Sequence, residues 1–414
     1  MPVIFDTIHA NINIDDKFIP FIDNVWMKRL KRIKQLGLLD SVFPSASHSR
    51  FEHSLGVFHL ANNYINLLEN KSEVQLFTIK EKQCVCLAGL FHDLGHGPFS
   101  HIFDNILAKY DNSDIIKKHE IRSQHIVEKI FKLVNPKEFN GYDIDLIKKI
   151  IDPPSDMIIY NNNKKSYHCE KPYLFEIINN KINNIDVDKF DYLERDSKHI
   201  GLDYSFNPSR IMNKSFICPN KKTIIYDSSI KSTIFDLFYT RYRFHKDICS
   251  HKTSKMCDIM LTDAIHKSEE YLNIEKYCSI DNGLLSDKFL ELDDNIYHKL
   301  LYLQDPKYIE SKNLVNNIEN RKLYKCILIG ESDKINSKGN NINKYNDFSY
   351  KISENINYTD KINLSFSFCN GNDNPLNNVL FYDKYSKCMD YGKLDNRLVP
   401  EQFIENITIL YKKY

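Results

Sequence analysis

The chain has 414 residues, of which 42% are hydrophobic and 27% charged, and a formal net charge of +1. That is the composition of a globular protein with ample core, and it excludes a globally polybasic nucleic-acid or membrane-surface protein. No apolar run is long enough to span a bilayer, and the start, Met1-Pro2-Val3-Ile4-Phe5-Asp6, lacks the pattern of a secretory leader. Ten scattered cysteines without a paired CxxC disfavour a zinc ribbon. Reduced thiols in a cytosolic or nuclear compartment, not a secreted one, are expected, with no membrane partner.

Residues 1–20 read as a strand or extended arm ending at Pro20. From Phe21 a helical pattern places Ile22, Val25, Trp26, Leu30 and Ile33 on one face and ends at Gly37. Lys28, Arg29, Lys31, Arg32 and Lys34 lie off that face, as a solvated surface or a phosphate contact. After a turn-rich Phe43–His48, Arg50-Phe51-Glu52-His53-Ser54-Leu55-Gly56 opens an amphipathic helix that runs to Leu68. His53 falls near its start, and Arg50 offers a bidentate phosphate donor.

The apolar run Val85–Leu90 leads into Phe91-His92-Asp93-Leu94-Gly95-His96-Gly97-Pro98-Phe99-Ser100-His101. Its start is expected to be buried, and an unpaired polar group in a core costs about 1–3 kcal/mol or more. One reading is a polar helix cap before Gly-Pro. The other is a metal ion, which satisfies imidazole and carboxylate together. His96 shares a face with His92 if the helical turn persists, and Gly95 and Gly97 permit close backbone approach to an anion. His101 and Asp104 are three apart, a spacing at which a carboxylate can hold an imidazole. His119-Glu120 begins another helix, and residues 135–170 read as a polar loop after a short helix.

In Ile185–Asp196, Asp188, Tyr192 and Asp196 share a face if helical, as suits the wall of a metal cleft. Phe216–Ile225 reads as a β-hairpin, and one long helix is expected from about Thr233 to Leu272, with Arg241 and His245 four apart. Ser332–Asn357 reads as a mobile Asn/Ser/Lys-rich insertion. Pro375–Tyr382 and Ile407–Tyr414 suggest strands, with a helix between Pro400 and Ile407.

Together His53, His92, Asp93 and Asp188 form a nitrogen/oxygen ligand set suited to Fe, Mn, Mg or Zn, able to activate water. Arg50, His96, His101, His119, Lys189 and Arg241 are partners for a polyphosphate, so the pattern points to phosphate-ester chemistry. The blocks Phe43–Gly56, Ala88–Asp104, Ile185–Asp196 and Phe235–Lys252 resemble the SAM-and-HD-domain deoxynucleoside triphosphate triphosphohydrolases of the HD-domain superfamily. The likeness runs from about Val3 to the C-terminus, without the SAM domain. It implies a mainly α fold: a helical HD core with short β-hairpins over 1–275, with its N-terminal arm, and a smaller α+β C-terminal lobe over 276–414 that holds the insertion near 332–357.

The resemblance also implies hydrolysis of a dNTP to deoxynucleoside and inorganic triphosphate, with metal-bound water or hydroxide attacking the α-phosphorus, in control of dNTP pools. His53, His92, Asp93 and Asp188 would hold the metal, and Mg²⁺ would accompany the nucleotide. His101, held by Asp104, would be the general acid, and His119 with Glu120 would stabilise developing charge. Arg50, His96, Lys189, Tyr192, Arg241 and His245 would contact substrate. Gln35 and Asp196 would bind the sugar 3′-hydroxyl, and Leu36 would exclude a 2′-hydroxyl. A GTP or dGTP activator and a homo-oligomer, dimer or tetramer, are further implications, with Asp23, Lys31, Arg210, His251 and Lys252 matching activator positions. The chain departs from the pattern at Cys249, where the family has a Tyr near the base, and at Phe5, Asp227 and Ser229 in the activator sites. Alternatives are an HD phosphohydrolase acting on a monophosphate or cyclic nucleotide, and a non-catalytic nucleic-acid-binding protein using the basic stretch Lys28–Lys34.

Overall fold

The chain opens with an antiparallel hairpin, β1 (Val3–Asp6) and β2 (Ala10–Asn13), in a computed structural model that describes residues 2–111, 115–161, 164–202, 206–331, 360–371, 373–383, 388–392 and 402–413. The insertion expected near 332–357 lies outside these residues. The helix expected from Phe21 is broken into α1 (Ile19–Ile22) and α2 (Val25–Arg29), because the Asn24 side chain accepts from the amides of Trp26 and Met27 and starts a new helix. A 3₁₀ turn, Leu30–Arg32, follows, and the chain is extended at Ile33, before Gly37.

Helix α3 (Arg50–Asn70) starts where Glu52 reaches back to the Ser49 amide, and α4 (Ile79–Phe91) starts with a reciprocal Thr78–Glu81 cap. Every residue of α4 from Cys84 to Phe91 is buried, which makes it the axis of the core. Then come α5 (His101–Ala108), α6 (His119–Val134) and α7 (Gly141–Ile151). The stretch expected as a loop over 135–170 thus contains α7, which Asn140 caps and which buries Ile147, Ile150 and Ile151. It also contains the hairpin β3 (Ile158–Asn161) and β4 (Lys164–Tyr167).

Helix α8 (Val187–Ile200) is capped by Asp186 and ends at Gly201, and α9 (Pro208–Asn213) follows. The hairpin expected at 216–225 is β5 (Ser215–Ile217) and β6 (Ile224–Asp227). The single helix expected over 233–272 is instead α10 (Lys231–Arg243), a π-turn at Phe244–Cys249, α11 (Lys252–Lys267) and α12 (Glu269–Leu272). Non-helical backbone at His251 separates α10 from α11 (ψ 129°). Short α13 (Ile274–Tyr277), the strand pair β7 (Ile280–Asp281) and β8 (Leu284–Leu285), α14 (Ile296–Leu301) and α15 (Ile309–Glu319) complete the helical part.

Strands β9 (Lys325–Glu331), β10 (Asp360–Ser367) and β13 (Ile404–Lys412) form an antiparallel sheet in the order β10-β13-β9. Ile404–Ile407, expected at the end of a helix, is therefore strand: Ile404 and Ile407 pair with Ser367 and Leu364. The β-branched run Ile407-Thr408-Ile409 favours that state. Strands β11 (Leu380–Asp383) and β12 (Cys388–Tyr391) join the β5–β6 hairpin, with β11 parallel to β6. One hydrophobic cluster reaches from Ile12 on the first hairpin to Tyr411 on β13. No helix among the described residues is long and apolar enough to cross a membrane.

Candidate metal centre and substrate cleft

Four side chains from three elements converge at the open edge of α3. His53 projects from the first turns of α3, His92 and Asp93 follow the end of α4, and Asp188 stands in the first turn of α8. His53 Nε2 lies 3.2 Å from His92 Nε2 and 3.1 Å from Asp188 Oδ1. His92 Nε2 lies 3.4 Å from Asp188 Oδ1 and 3.3 Å from Asp93 Oδ1. Donors about 2.1 Å from one divalent ion lie about 3 Å apart when neighbouring, so these spacings match a shared ion.

The outer atoms of both imidazoles are committed. His53 Nδ1 donates to Asp191 Oδ2 at 2.7 Å, and His92 Nδ1 donates to the Gly89 carbonyl at 2.8 Å. That fixes the tautomer which turns each Nε2 lone pair toward the centre. The centre also holds surplus negative charge. Burial opposes a charged His53, yet hydrogen bonds to Asp188 and Asp191 and the charges of Asp191 and Asp93 lift it to about 10. Burial would raise Asp93, but Arg50 and His92 hold it well below the usual carboxylate range. The donor set fits a divalent cation of the Fe, Mn, Mg or Zn kind.

Arg50, expected to face phosphate, is buried and committed. Its guanidinium donates to Asp93 Oδ2, to Ser100 Oγ at 2.7 Å and to the Gln35 carbonyl at 3.4 Å. His96, His101, Asp104 and His119 form a second group whose donor atoms lie within 4.8 Å of one another. His96 and His119 stack at 3.9 Å, and His101 stands perpendicular to His96 at 5.0 Å. Asp104, expected to hold His101, instead accepts from His119 Nδ1 at 2.8 Å and Arg122 Nη2 at 2.5 Å. The buried Arg122 guanidinium needs a carboxylate, and α6 brings it and His119 to the same face of α5. Glu120 lies 3.6 Å from His119 Nδ1. His101 stands at the start of α5 on the mouth of the cleft; partial desolvation there, then the Arg50 and His119 charges, lower its imidazole.

On the opposite wall Lys189 Nζ pairs with Asp186 at 2.8 Å, and Arg241 Nη1 donates to the Ser367 carbonyl at 3.2 Å. Tyr192 lies between His53 and His245, its ring 6.5 and 6.4 Å from theirs. His245 belongs to the π-turn after α10, as does Cys249, whose thiol burial pushes up to about 12. Asp196 Oδ1 is 2.6 Å from His48 Nε2, and Leu36 is half-buried at the margin of the core. Gln35 Oε1, His96 Nδ1, Arg241 Nε and His245 Nε2 are buried with no hydrogen-bond partner among the described residues, as polar groups of a ligand site are.

The expected activator residues are spread over other elements. Asp23 pairs with Lys28, Lys31 stacks over Phe51, Arg210 and Lys252 are exposed on α9 and α11, and His251 faces Phe43. Lys31 lines a cavity of about 500 Å³ together with Arg32, Lys34, His298 and Arg321. Phe5 is exposed on β1, whereas Asp227 is buried, accepting from the Ser229 amide.

Sequence reasoning missed the shell behind the ligands. Asp191 accepts from His53, His9 and Arg195, and Arg195 also grips Asp6, so the first hairpin braces the metal centre. The signal was there: Asp191 lies three residues after Asp188 and four before Arg195, but a ligand search stops at the first. Cys369, from the segment after β10, was also missed. Burial pushes its thiol up, against the opposing charges of nearby Arg241 and Lys189.

A helical core that brings candidate His and Asp ligands together from α3, the end of α4 and α8 is that of an HD-domain metal-dependent hydrolase, and the HD domain family matches residues 50–196. The chain is 33% identical to "Deoxynucleoside triphosphate triphosphohydrolase SAMHD1" of Gallus gallus over all of this chain and 72% of that protein. It is 32% identical to the homolog of Dictyostelium discoideum, over 97% of this chain and 76% of that one. A "Putative HD domain-containing protein L394" of Acanthamoeba polyphaga mimivirus is 34% identical over 91% of this chain and 84% of its own length. The chain belongs to the SAMHD1 family of deoxynucleoside triphosphate triphosphohydrolases.

Proposed function

We propose that the chain hydrolyses deoxynucleoside triphosphates to deoxynucleoside and inorganic triphosphate, in control of dNTP pools. The observation that carries this reading is the convergence of His53, His92, Asp93 and Asp188 with two cations beside them, Lys189 next to Asp188 and Arg241 near Tyr192. A monophosphate needs fewer cations than that. When bound, a divalent ion supplies Lewis-acid stabilisation of phosphoryl charge and makes a water acidic enough to act as nucleophile. Mg²⁺ accompanies the nucleotide. Arg241, Lys189, Tyr192, His96 and His245 bind and orient the triphosphate, while Arg50 holds Asp93. His101 gives its proton to the departing 5′ oxygen; the anionic substrate offsets the Arg50 and His119 charges that lower its imidazole and favours the protonated form. Asp104 and Glu120 orient His119 toward developing charge. Gln35 Oε1 and the free oxygen of Asp196 take the 3′-hydroxyl, and Leu36 packs under the sugar.

A guanine-nucleotide activator and assembly into a homodimer or homotetramer belong to the same reading. The cavity beside Lys31, lined by Lys31, Arg32, Lys34 and Arg321 and also by Asp40, Asp294 and Glu319, has the volume of a nucleotide site. Product analysis tests the proposal, with each dNTP and rNTP, Mg²⁺ or Mn²⁺, and with or without GTP or dGTP. Triphosphate plus deoxynucleoside, from dNTPs only and lost in Asp188→Ala, is the expected result. Orthophosphate alone, from monophosphates, would move the reading to another HD phosphohydrolase. Salt-sensitive single-strand binding that survives Asp188→Ala, without turnover, would replace it with nucleic-acid binding.

A further inference from the structure

The segment between α4 and α5 carries two candidate metal ligands without being helical, and four side chains fix its backbone from outside, among them Ser123, whose Oγ accepts from the Gly95 amide and donates to the His92 carbonyl. Buried Arg29 donates to the carbonyls of Leu94 and His96, and buried Arg122 donates to that of Gly95. Its last two residues are strained. Phe99 and Ser100 have φ +61° and +60°, consecutive left-handed positions without glycine, each costing about 1–3 kcal/mol. Such a turn persists only where its surroundings hold it. Asp294, just before α14, supplies the holding. Its Oδ1 accepts from the Phe99 amide at 2.7 Å and its Oδ2 from the Lys34 amide at 2.8 Å.

Once the turn is held, Ser100 Oγ reaches both ways. It donates to the Lys34 carbonyl at 2.5 Å and accepts from Arg50 Nε at 2.7 Å. Arg50 in turn grips Asp93 Oδ2. We infer that Asp294 is a positioning residue for the metal centre: it locks the Phe99–Ser100 turn, and through Ser100 and Arg50 it fixes the direction of the Asp93 carboxylate. Asp294 lies outside the residues that match the HD domain. Desolvation pushes its carboxyl up to about 6, the two amides pulling it back, so at pH 7.5 it is a half-buried carboxylate whose hydrogen-bond partners are backbone N–H groups. Asparagine at 294 would set an NH₂ group against one of those donors, and the grip on either Phe99 or Lys34 is lost.

The inference rests on the metal-centre reading but not on the substrate. Its test is Mn²⁺ binding to the metal-stripped full chain by calorimetry, at pH 7.5, alongside steady-state kinetics with dATP. Asp294→Asn and Ser100→Ala are each expected to weaken Mn²⁺ binding about tenfold, the size of other outer-shell effects. Both should lower kcat with KM within about twofold. Asp293→Asn, one residue away and paired with Arg32, should bind Mn²⁺ as the unaltered chain does. Folded Asp294→Asn protein with unaltered Mn²⁺ affinity overturns the inference. Should that variant not fold, Ser100→Ala decides, since it spares both Asp294 bonds; unaltered Mn²⁺ binding there overturns it too. A chain that shows these Mn²⁺ effects but turns over no dNTP leaves Asp294 in this role and removes the substrate reading. A chain that takes no Mn²⁺ removes this inference.

Discussion

Gly56→Ala is a substitution whose sign separates the metal-shell argument from ordinary helix energetics. In the interior of a helix, alanine normally stabilises by roughly 0.5–1 kcal/mol over glycine. Here a Cβ on Gly56 would meet Asp191 Oδ1 at 1.9 Å and Arg195 Nη2 at 2.6 Å. To reach ordinary contact, Asp191 or the whole of α8 has to withdraw by about 1.5 Å, an overpacking cost of roughly 1–3 kcal/mol. Withdrawal takes Oδ1 away from Arg195 Nη2, now at 3.0 Å, and from His9 Nε2, now at 2.6 Å. Hydrogen bonds to charged groups contribute about 1.5–3 kcal/mol each, so the net loss is roughly 3–8 kcal/mol, a large part of a typical domain's stability. Urea unfolding of the metal-free protein measures it. Pairing the change with Asp191→Ala, which removes the obstructing oxygen, should recover part of the loss as a coupling energy. A Gly56→Ala protein within about 1 kcal/mol of the unaltered chain, or more stable than it, would refute the claim that α3 and α8 meet here because position 56 has no side chain.

Glu176 is buried, accepting from Thr223 Oγ1 and the Ile224 amide, and burial raises its carboxyl from 4.5 to about 7. The folded chain holds that proton more tightly than the unfolded chain, so stability falls as pH rises from about 4.5 to about 7, by on the order of 3 kcal/mol. Glutamine satisfies the same partners, since the threonine hydroxyl can accept; Glu176→Gln should therefore melt higher than the unaltered chain at pH 8, with the gap closing toward pH 5. Arg241→Ala should raise KM for a dNTP about ten- to a hundredfold, the worth of a charged hydrogen bond, and an unchanged KM would take Arg241 out of the cradle. Because Asp104 holds His119 and not His101, Asp104→Asn with His119→Ala should be no slower than His119→Ala alone. Multiplying losses in kcat would instead tie Asp104 to His101.

The convergence of the candidate ligands is legible because their chemistry is local: His-Asp side by side after an apolar run, His53 at a helix start, Asp188 in the first turn of another helix. The helices that frame them were legible from period and caps, as at Ser49–Glu52. Three things were not. Asn24 splits one apolar period into two short helices, since a side-chain cap there competes with continuation, which the period alone does not reveal. The π-turn at Phe244–Cys249 leaves the composition helical while altering which residues share a face beyond Arg241. Asp104 sits three residues from His101, but the partner it takes comes from α6, a tertiary choice set by buried Arg122.

The same distinction explains how the metal centre is built. Residues 50–196 contain all four candidate ligands and the groups that hold them directly, Asp191, Gly89 and Arg50, yet the groups that brace this shell arrive from far along the chain. His9 and Asp6 reach Asp191 and Arg195 across separations of 182 and 189 residues, and Asp294 reaches Phe99 across 195. On the far wall Arg241 donates to Ser367, and Tyr242 stacks on Phe368 at 4.5 Å with its hydroxyl on Glu405. Ligand identity and the first contacts are therefore local to the HD segment, whereas the bracing of those contacts comes from the N-terminal hairpin and the turn before α14, and that of Arg241 from the last sheet. Buried carboxylates and guanidinium groups make that dependence steep, because a partner withdrawn leaves an uncompensated charge that costs several kcal/mol. Loss of the hairpin alone would leave Arg195 facing one carboxylate instead of two and His53 sharing an Asp191 that His9 no longer restrains.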